Sequence, residues 1–135
     1  MKSASLIFAA SLVLLCDLAW AQNQPAAGSA SVFACNRLAL DPDARHRHFD
    51  VLGPALRAAH IRERELSDGY EFEFPSDPST VRIVSDWAQG ESLCCPFFDI
   101  VLRFDHDRGG FWLRLTGGNG VRQFVRTDFA SWFKH

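Results

Sequence analysis

Two adjacent cysteines, Cys94 and Cys95, follow Glu91 by three and four residues and directly precede Pro96. Residues three or four apart on a helix lie on neighbouring turns, so the carboxylate and the thiols converge by local geometry. Thiolates are soft ligands for zinc, copper(I) and heavier thiophilic ions. The spacing therefore favours a compact site for a soft metal or metalloid ion.

A rigid helix limits this site, because consecutive side chains diverge by about 100°. Pro96 ends the helix and relaxes that limit at Cys95. Cys35 is the other cysteine of the expected mature chain. If its segment passes beside the helix, we expect Cys35, Cys94 and Cys95 to ligate the ion. Glu91 would then be either a fourth, hard ligand or a hydrogen-bond partner of the ligands.

Two other interpretations of the cysteines stay open. Cys35 can form a disulfide with Cys94 or Cys95, which would make the domain a stapled structural or partner-binding module without catalysis. The cluster can also belong to a thiol-dependent redox enzyme in which Glu91 is the base. Glu91 and the negative end of the helix dipole both oppose thiolate formation, which argues against an activated nucleophile.

The N-terminus has the three parts of a secretory signal peptide. Lys2 supplies the positive charge, Leu6 to Leu15 is an uncharged apolar run, and Ala19-Trp20-Ala21 is a small-x-small cleavage pattern. We expect cleavage after Ala21 and a periplasmic or secreted location. Residues 22–31, rich in Gln, Ala, Gly and Ser, are expected to form a flexible leader before a single domain at residues 32–135.

The remaining composition narrows the classes of function. The formal net charge of −2 argues against nucleic-acid binding, which favours a basic patch. No second apolar stretch is long enough to span a membrane once the signal is removed. The 12 phenylalanines and 4 tryptophans favour a folded core over a disordered chain. Removal of Cys16 with the signal leaves an odd number of cysteines, which indicates a free thiol, an intermolecular bridge or a ligand.

Hydrophobic periodicity predicts the elements that position the cluster. Asp41-Pro42 and Asp77-Pro78 are typical helix starts, and Gly53-Pro54 is expected to kink or split the first helix. Two alternating segments around Ser67-Asp68-Gly69 predict one hairpin, and Phe98 to Thr116 predicts a second. A third helix closes the chain.

The predicted order is α-ββ-α-ββ-α. It indicates an α+β fold in which one antiparallel sheet of about four strands carries its helices on one face. In the first hairpin, the alternation of Tyr70, Phe72 and Phe74 with Glu71 and Glu73 predicts one buried and one wet face.

Arg45-His46-Arg47-His48 forms a basic run on the first helix. The two imidazoles are two residues apart and therefore face different sides of the helix, which is poor geometry for one metal ion. The run is expected to be a solvated basic face.

The segments 91–98, 111–117 and 120–125 resemble a group of small uncharacterised bacterial proteins. Their signature is Glu-x-x-Cys-Cys-Pro-Phe, followed by a strand pair, a Thr-Gly turn and a final helix. The opening segment 35–40 is similar to theirs too, so the resemblance covers about residues 33–133. It implies the same arrangement of elements but no activity. The group looks cytosolic, and the signal peptide of this chain is a departure that bears on whether its thiols stay reduced.

Overall fold

The computed structural model describes residues 33–107 and 110–134. The predicted signal peptide (1–21) and leader (22–31) lie outside the described residues. Within those two described ranges, no helix has both the length and the hydropathy that crossing a bilayer would require.

The first helical region follows a short 3₁₀ turn, Arg37–Ala39, and begins as α1, Pro42–His46. The Asp41 carboxylate caps α1 by accepting hydrogen bonds from the first backbone N–H groups. The region continues as a π-helical segment, Arg47–Leu52, and then as α2, Gly53–Ala59. The irregularity predicted at Gly53-Pro54 thus takes the form of a π-helix that ends at the Gly-Pro pair, since proline has no N–H to donate.

Four strands form one antiparallel sheet in the order β1-β2-β4-β3. They are β1 (Arg62–Glu65), β2 (Gly69–Phe74), β3 (Asp99–Phe104) and β4 (Phe111–Thr116). The two hairpins, β1-β2 and β3-β4, therefore join through their second strands, which pair from Gly69 opposite Thr116 to Phe74 opposite Phe111. The inner strands β2 and β4 are almost entirely buried.

Helix α3 (Pro78–Cys94) connects the two hairpins, and α4 (Val121–Asp128) follows β4. The inner face of the sheet is apolar, and its rings pack edge-on against aromatic side chains that follow α4, as Phe72 does against Trp132 and Phe133. Helices thus cover one face of the sheet. The domain is α+β with the predicted order of elements.

The opposite face of the sheet differs from the prediction. Glu71 and Glu73 are buried rather than wet. Glu71 is ion-paired with Arg64 of β1 and Arg103 of β3, and its Oε2 accepts from Arg114 of β4 at 3.2 Å. Long arginine side chains from neighbouring strands cover the glutamates, so burial here comes from cross-strand pairing that the alternation of one strand does not reveal.

Arginines also cover Trp112 on this outer face. The guanidinium carbons of Arg62, Arg64 and Arg103 lie 5.2–5.7 Å from the centroid of the indole ring. Cation–π attraction and the buried stems of the arginines both favour this arrangement. The outer face is therefore a packed layer of ion pairs around a tryptophan.

Candidate functional site

The last turn of α3 positions Glu91 and both adjacent cysteines. Cys95 has left the helical conformation (φ −125°, ψ 66°), although its N–H still donates to Glu91 O. This change of backbone direction removes the divergence expected on a rigid helix, and the two Sγ atoms lie 3.8 Å apart. The prediction that the junction before Pro96 brings the two sulfurs together is confirmed.

Cys35 reaches the same point from the N-terminal segment. Asn36 N–H donates to Cys94 O at 2.7 Å, which fixes the segment against the end of α3. Cys35 and Cys95 form a disulfide, with 4.5 Å between their Cα atoms. Of the two pairings left open by the sequence, the structure thus contains the one with Cys95, and Cys94 is a buried free thiol.

The surroundings of the buried Cys94 side chain disfavour ionisation of its thiol to the thiolate. Its Sγ is 3.6 Å from Oε2 of Glu91 and 4.0 Å from Nε2 of His48. Burial, followed by the charge of the nearby Glu91 carboxylate and the hydrogen bond to it, raises the pKa of Cys94 to about 12. Cys94 is therefore a poor nucleophile near neutral pH, as the predicted opposition of Glu91 to thiolate formation implies.

His48 is part of this site, contrary to the prediction of a solvated basic face. It is only 2% exposed, and its Nε2 lies 2.9 Å from Oε2 of Glu91. The two groups form a buried hydrogen-bonded pair. Glu91 also faces Cys35, whose Sγ is 3.9 Å from Oε1. The carboxylate thus has one oxygen toward Cys35 and the other toward Cys94 and His48.

Aromatic packing and a glycine fix the imidazole. The ring of His48 stacks on Trp87 with centroids 5.3 Å apart, and it meets Phe49 edge-on. Its Nδ1 is buried and has no hydrogen-bond partner in the part of the chain that the structure describes. On that side the ring lies against Gly90, where a Cβ would come within 2.5 Å of Nδ1. The absence of a side chain at Gly90 therefore leaves the space that the ring occupies.

The sequence held a signal for His48 that the basic run obscured. His48 lies four and eight residues before Leu52 and Leu56, and all three are buried on one side of the first helical region. This spacing places the imidazole on the apolar side rather than with the exposed Arg47. A glycine inside α3, directly before Glu91, is a second indication of close approach by another group.

The cluster could hold a metal ion. One donor atom from each of Cys35, Glu91, Cys94 and Cys95 lies within 4.8 Å of the others. These are the four residues predicted as ligands, and the structure brings all four together. His48 adds a fifth polar group that contacts Glu91.

A cavity of about 560 Å³ adjoins this cluster and is called here the aromatic cavity. Cys35, His48 and Glu91 line one side of it, whereas Cys94 and Cys95 are not among its lining residues. Its aromatic lining consists of Phe33, Phe49, Trp87, Phe124, Phe129 and Trp132.

The exposed side of the aromatic cavity is polar. It is lined by Arg37, Arg57, Asp128 and Ser131, all of which are exposed to solvent. The Arg57 guanidinium donates to the Ser131 hydroxyl at 3.3 Å, and the Arg37 guanidinium lies over the Phe49 ring. The aromatic cavity thus opens to solvent between two guanidinium groups and a carboxylate.

The site is a thiol, a disulfide and a buried histidine–glutamate pair at the inner side of an aromatic cavity. The resemblance to small bacterial proteins with the Glu-x-x-Cys-Cys-Pro-Phe signature stays a prediction. Comparison of the chain with protein-family models, with curated proteins and with solved structures gives no match.

Proposed function

We propose that the protein, once its disulfide is reduced, binds a thiophilic metal or metalloid ion through Cys35, Cys94 and Cys95, with Glu91 as the fourth ligand. The observation that carries the proposal is the approach of these four donor atoms to within 4.8 Å of one another. Zinc, copper(I) and heavier thiophilic ions are the candidates, because thiolates prefer soft cations.

The spacing of the sulfurs supports this ligand set. In a tetrahedral site with Zn–S bonds of about 2.3 Å, ligand sulfurs lie roughly 3.8 Å apart. The Sγ atoms of Cys94 and Cys95 are separated by 3.8 Å. Reduction would break the bond between the Sγ atoms of Cys35 and Cys95, and the two sulfurs would then separate to van der Waals contact. The segment stays anchored by the hydrogen bond from Asn36 N–H to Cys94 O.

The electrostatics of the site suit a cation rather than a free thiolate. The raised pKa of Cys94 means that its proton leaves only when a positive charge replaces it. Binding should therefore release protons and weaken as the pH falls. His48, hydrogen-bonded to Glu91, would orient the carboxylate, as such partners do for ligands in metal sites.

The disulfide makes ion binding depend on oxidation state. In the oxidised chain, two of the three sulfurs are bonded to each other and cannot act as thiolate ligands. The predicted signal peptide implies an oxidising compartment, where the disulfide form would be favoured. Ion binding would then require a reducing partner, or reduction under particular conditions.

The test is ion binding by the purified chain before and after reduction with a phosphine. Zinc, cadmium and arsenite serve as probes, measured by calorimetry and by the mass of the complex. We expect binding by the reduced chain only, and at least a tenfold weaker affinity, about 1.4 kcal/mol, for Cys94→Ser. Ala88→Ser is the matched control, because it adds a buried hydroxyl to the same helix and leaves every thiol in place. Equal binding by the reduced chain and Cys94→Ser would exclude the proposal.

A stapled structural or partner-binding module is the second candidate, and the Cys35–Cys95 disulfide favours it. In that case Cys94 is a small buried side chain in the core and no more. The two candidates differ in the reduced chain. The stapled module would lose stability on reduction without gaining affinity for any thiophilic ion.

A further inference from the structure

The three cluster sulfurs differ in their access to solvent. Cys94 and Cys95 are fully buried, whereas Cys35 is partly exposed and lines the aromatic cavity. A reagent in the cavity therefore meets the Cys35 half of the disulfide and not the Cys95 half. Thiol–disulfide exchange depends on which sulfur the attacking thiolate can reach.

The aromatic cavity is far larger than an ion needs. Its volume of about 560 Å³ lies within the range of about 300–1,000 Å³ that is typical of sites for organic molecules. Its inner part is aromatic, and its exposed side carries Arg37, Arg57 and Asp128. Two guanidiniums and one carboxylate complement a small molecule that has carboxylate groups and one ammonium group.

Internal exchange is the competing way to open the disulfide. Cys94 Sγ lies 3.8 Å from Cys95 Sγ, close enough for attack after a small movement. Cys94 is nevertheless buried beside the Glu91 carboxylate, which disfavours the thiolate that must attack. An external thiol ionises in solvent, away from Glu91, and therefore arrives as the thiolate that must attack.

We propose that the aromatic cavity binds a low-molecular-weight amino-acid or peptide thiol, and that this thiol opens the Cys35–Cys95 disulfide by attack on Cys35 Sγ. The inference extends the proposed function by naming what exposes the ligands. The inference rests on the proposed function only for the biological role of the exchange, because thiol–disulfide exchange itself needs no ion.

The reaction balances with two molecules of the thiol. The first thiol loses its proton to solvent, its sulfur bonds to Cys35 Sγ, and the Sγ–Sγ bond breaks. Cys95 leaves as a thiolate and takes up a proton. A second thiol attacks the mixed disulfide, which releases the oxidised small-molecule disulfide and leaves Cys35 reduced. Two external thiols are oxidised, and one protein disulfide becomes two protein thiols.

The two arginines that line the cavity have two roles in this reaction. Arg37 is two residues from Cys35 and lines the cavity, so it can hold a carboxylate of the incoming thiol. Arg57, which also lines the cavity, can hold a second carboxylate. Both guanidiniums also favour the approach of an anionic thiolate over that of a neutral molecule.

The test follows the loss of the disulfide in the oxidised chain with glutathione and with 2-mercaptoethanol as probes. Rates are compared per thiolate, and reactions are quenched with an alkylating reagent before peptide mass mapping. We expect glutathione to react faster, with the mixed disulfide on Cys35 and the alkyl group on Cys95. Replacing both cavity arginines, as Arg37→Gln with Arg57→Gln, should lower the glutathione rate by about threefold to tenfold and leave the mercaptoethanol rate nearly unchanged.

Arg82→Gln is the matched control, because it removes a charge from an exposed arginine of α3 that does not line the cavity. Equal rates per thiolate for the two probes, an adduct on Cys95, or the same loss of rate in Arg82→Gln would each overturn the proposal. Failure of ion binding is a separate result, because phosphine reduction generates the thiols for that assay. A chain that reacts selectively with glutathione but binds no ion would retain this inference and lose the proposed function.

Discussion

The imidazole of His48 occupies the space left by the missing side chain of Gly90: a Cβ at position 90 would lie 2.5 Å from Nδ1 and 3.2 Å from Cε1 of the ring. This relationship links the first helical region to α3 one residue before Glu91. The ring cannot retreat easily, because it is stacked on Trp87. The position of the histidine–glutamate pair therefore depends on a glycine in the middle of a helix.

Replacing this glycine should be unfavourable despite the helix propensity of alanine. We expect Gly90→Ala to lower the free energy of unfolding by up to about 2 kcal/mol, since the cost of overpacking, about 1–3 kcal/mol, outweighs the gain of about 1 kcal/mol from removing a helical glycine. Urea denaturation measures the change. Gly118→Ala is the control, as nothing lies within 4 Å of its added Cβ. A more stable Gly90→Ala would show that the ring does not occupy this space.

The Cys35–Cys95 disulfide should be a major contribution to stability. It joins residues 60 apart in sequence. Closing a loop of this length in the unfolded chain is worth about 4 kcal/mol by the entropic estimate. We expect phosphine reduction to lower the free energy of unfolding by an amount of that order in urea titrations. Cys94→Ala, which keeps the disulfide, should respond to reduction in the same way, and an unchanged denaturation midpoint would contradict the prediction.

A bound ion should restore part of the stability lost on reduction. A ligand that binds only the folded state at about 100 times its Kd stabilises that state by about 2.7 kcal/mol. We therefore expect zinc or arsenite to raise the melting temperature of the reduced chain and to leave that of the oxidised chain unchanged. Reduced Cys94→Ser should show a smaller rise. Equal rises for the oxidised and reduced chains would indicate binding away from the cysteines.

Alkaline pH should destabilise the fold through Cys94. Its ordinary pKa is 9.0, and burial followed by the Glu91 charge raises the pKa to about 12 in the folded chain. Between these values the folded state binds more protons than the unfolded state, so stability falls as the pH rises, with a slope of at most about 1.4 kcal/mol per pH unit from this group. The contribution is fully present below pH 9.

The measurement is the free energy of unfolding against pH for the oxidised chain and for oxidised Cys94→Ala. The variant should show a shallower decline above pH 9. The pKa of Tyr70 is also raised, mainly by burial, and contributes to the decline in both proteins. Tyr70→Phe therefore serves as the control, because it removes a different part of the slope. Identical slopes for the wild type and Cys94→Ala would contradict the raised pKa.

The outer face of the sheet gives a prediction that is independent of the cysteines. Glu71 is completely buried and ion-paired with Arg64, Arg103 and Arg114. Losing hydrogen bonds to a buried charged group typically costs about 1.5–3 kcal/mol, and the three arginines, which are 38–54% exposed, would lose the carboxylate that holds them together. We expect Glu71→Ala to destabilise the domain by that order in urea denaturation.

Glu65→Ala provides the comparison for Glu71→Ala. Glu65 is on the adjacent strand, its side chain is 57% exposed, and it pairs with Arg122. An exposed pair of this kind typically contributes about 0–1 kcal/mol. Similar losses for the two variants would mean that the arginines do not exclude water from Glu71.

Local patterns predicted the elements of this fold. Asp-Pro pairs start α1 and α3 because the carboxylate accepts the first free N–H groups and proline fits the first turn. Alternation predicted the strands, and the spacing of Glu91, Cys94 and Cys95 predicted their convergence. These features depend on backbone geometry within a few residues, and that geometry can be predicted from the local sequence.

Contacts between distant segments were not available from such patterns. The sequence alone could not choose Cys95 over Cys94 as the partner of Cys35, because that choice depends on how the chain leaves α3. It also misplaced His48, whose contact with Glu91 spans 43 residues. The burial of Glu71 likewise required arginines from three strands.

The sequence by itself determined the α+β class, the two hairpins and a soft-ligand cluster at the end of a helix, since each follows from short-range periodicity and side-chain chemistry. Tertiary structure alone decided the pairing of the hairpins through β2 and β4, the disulfide and the aromatic cavity beside it. The physical reason is that packing brings together side chains whose separation along the chain carries no periodic signal. Which sulfur an incoming reagent can reach is therefore a property of the fold.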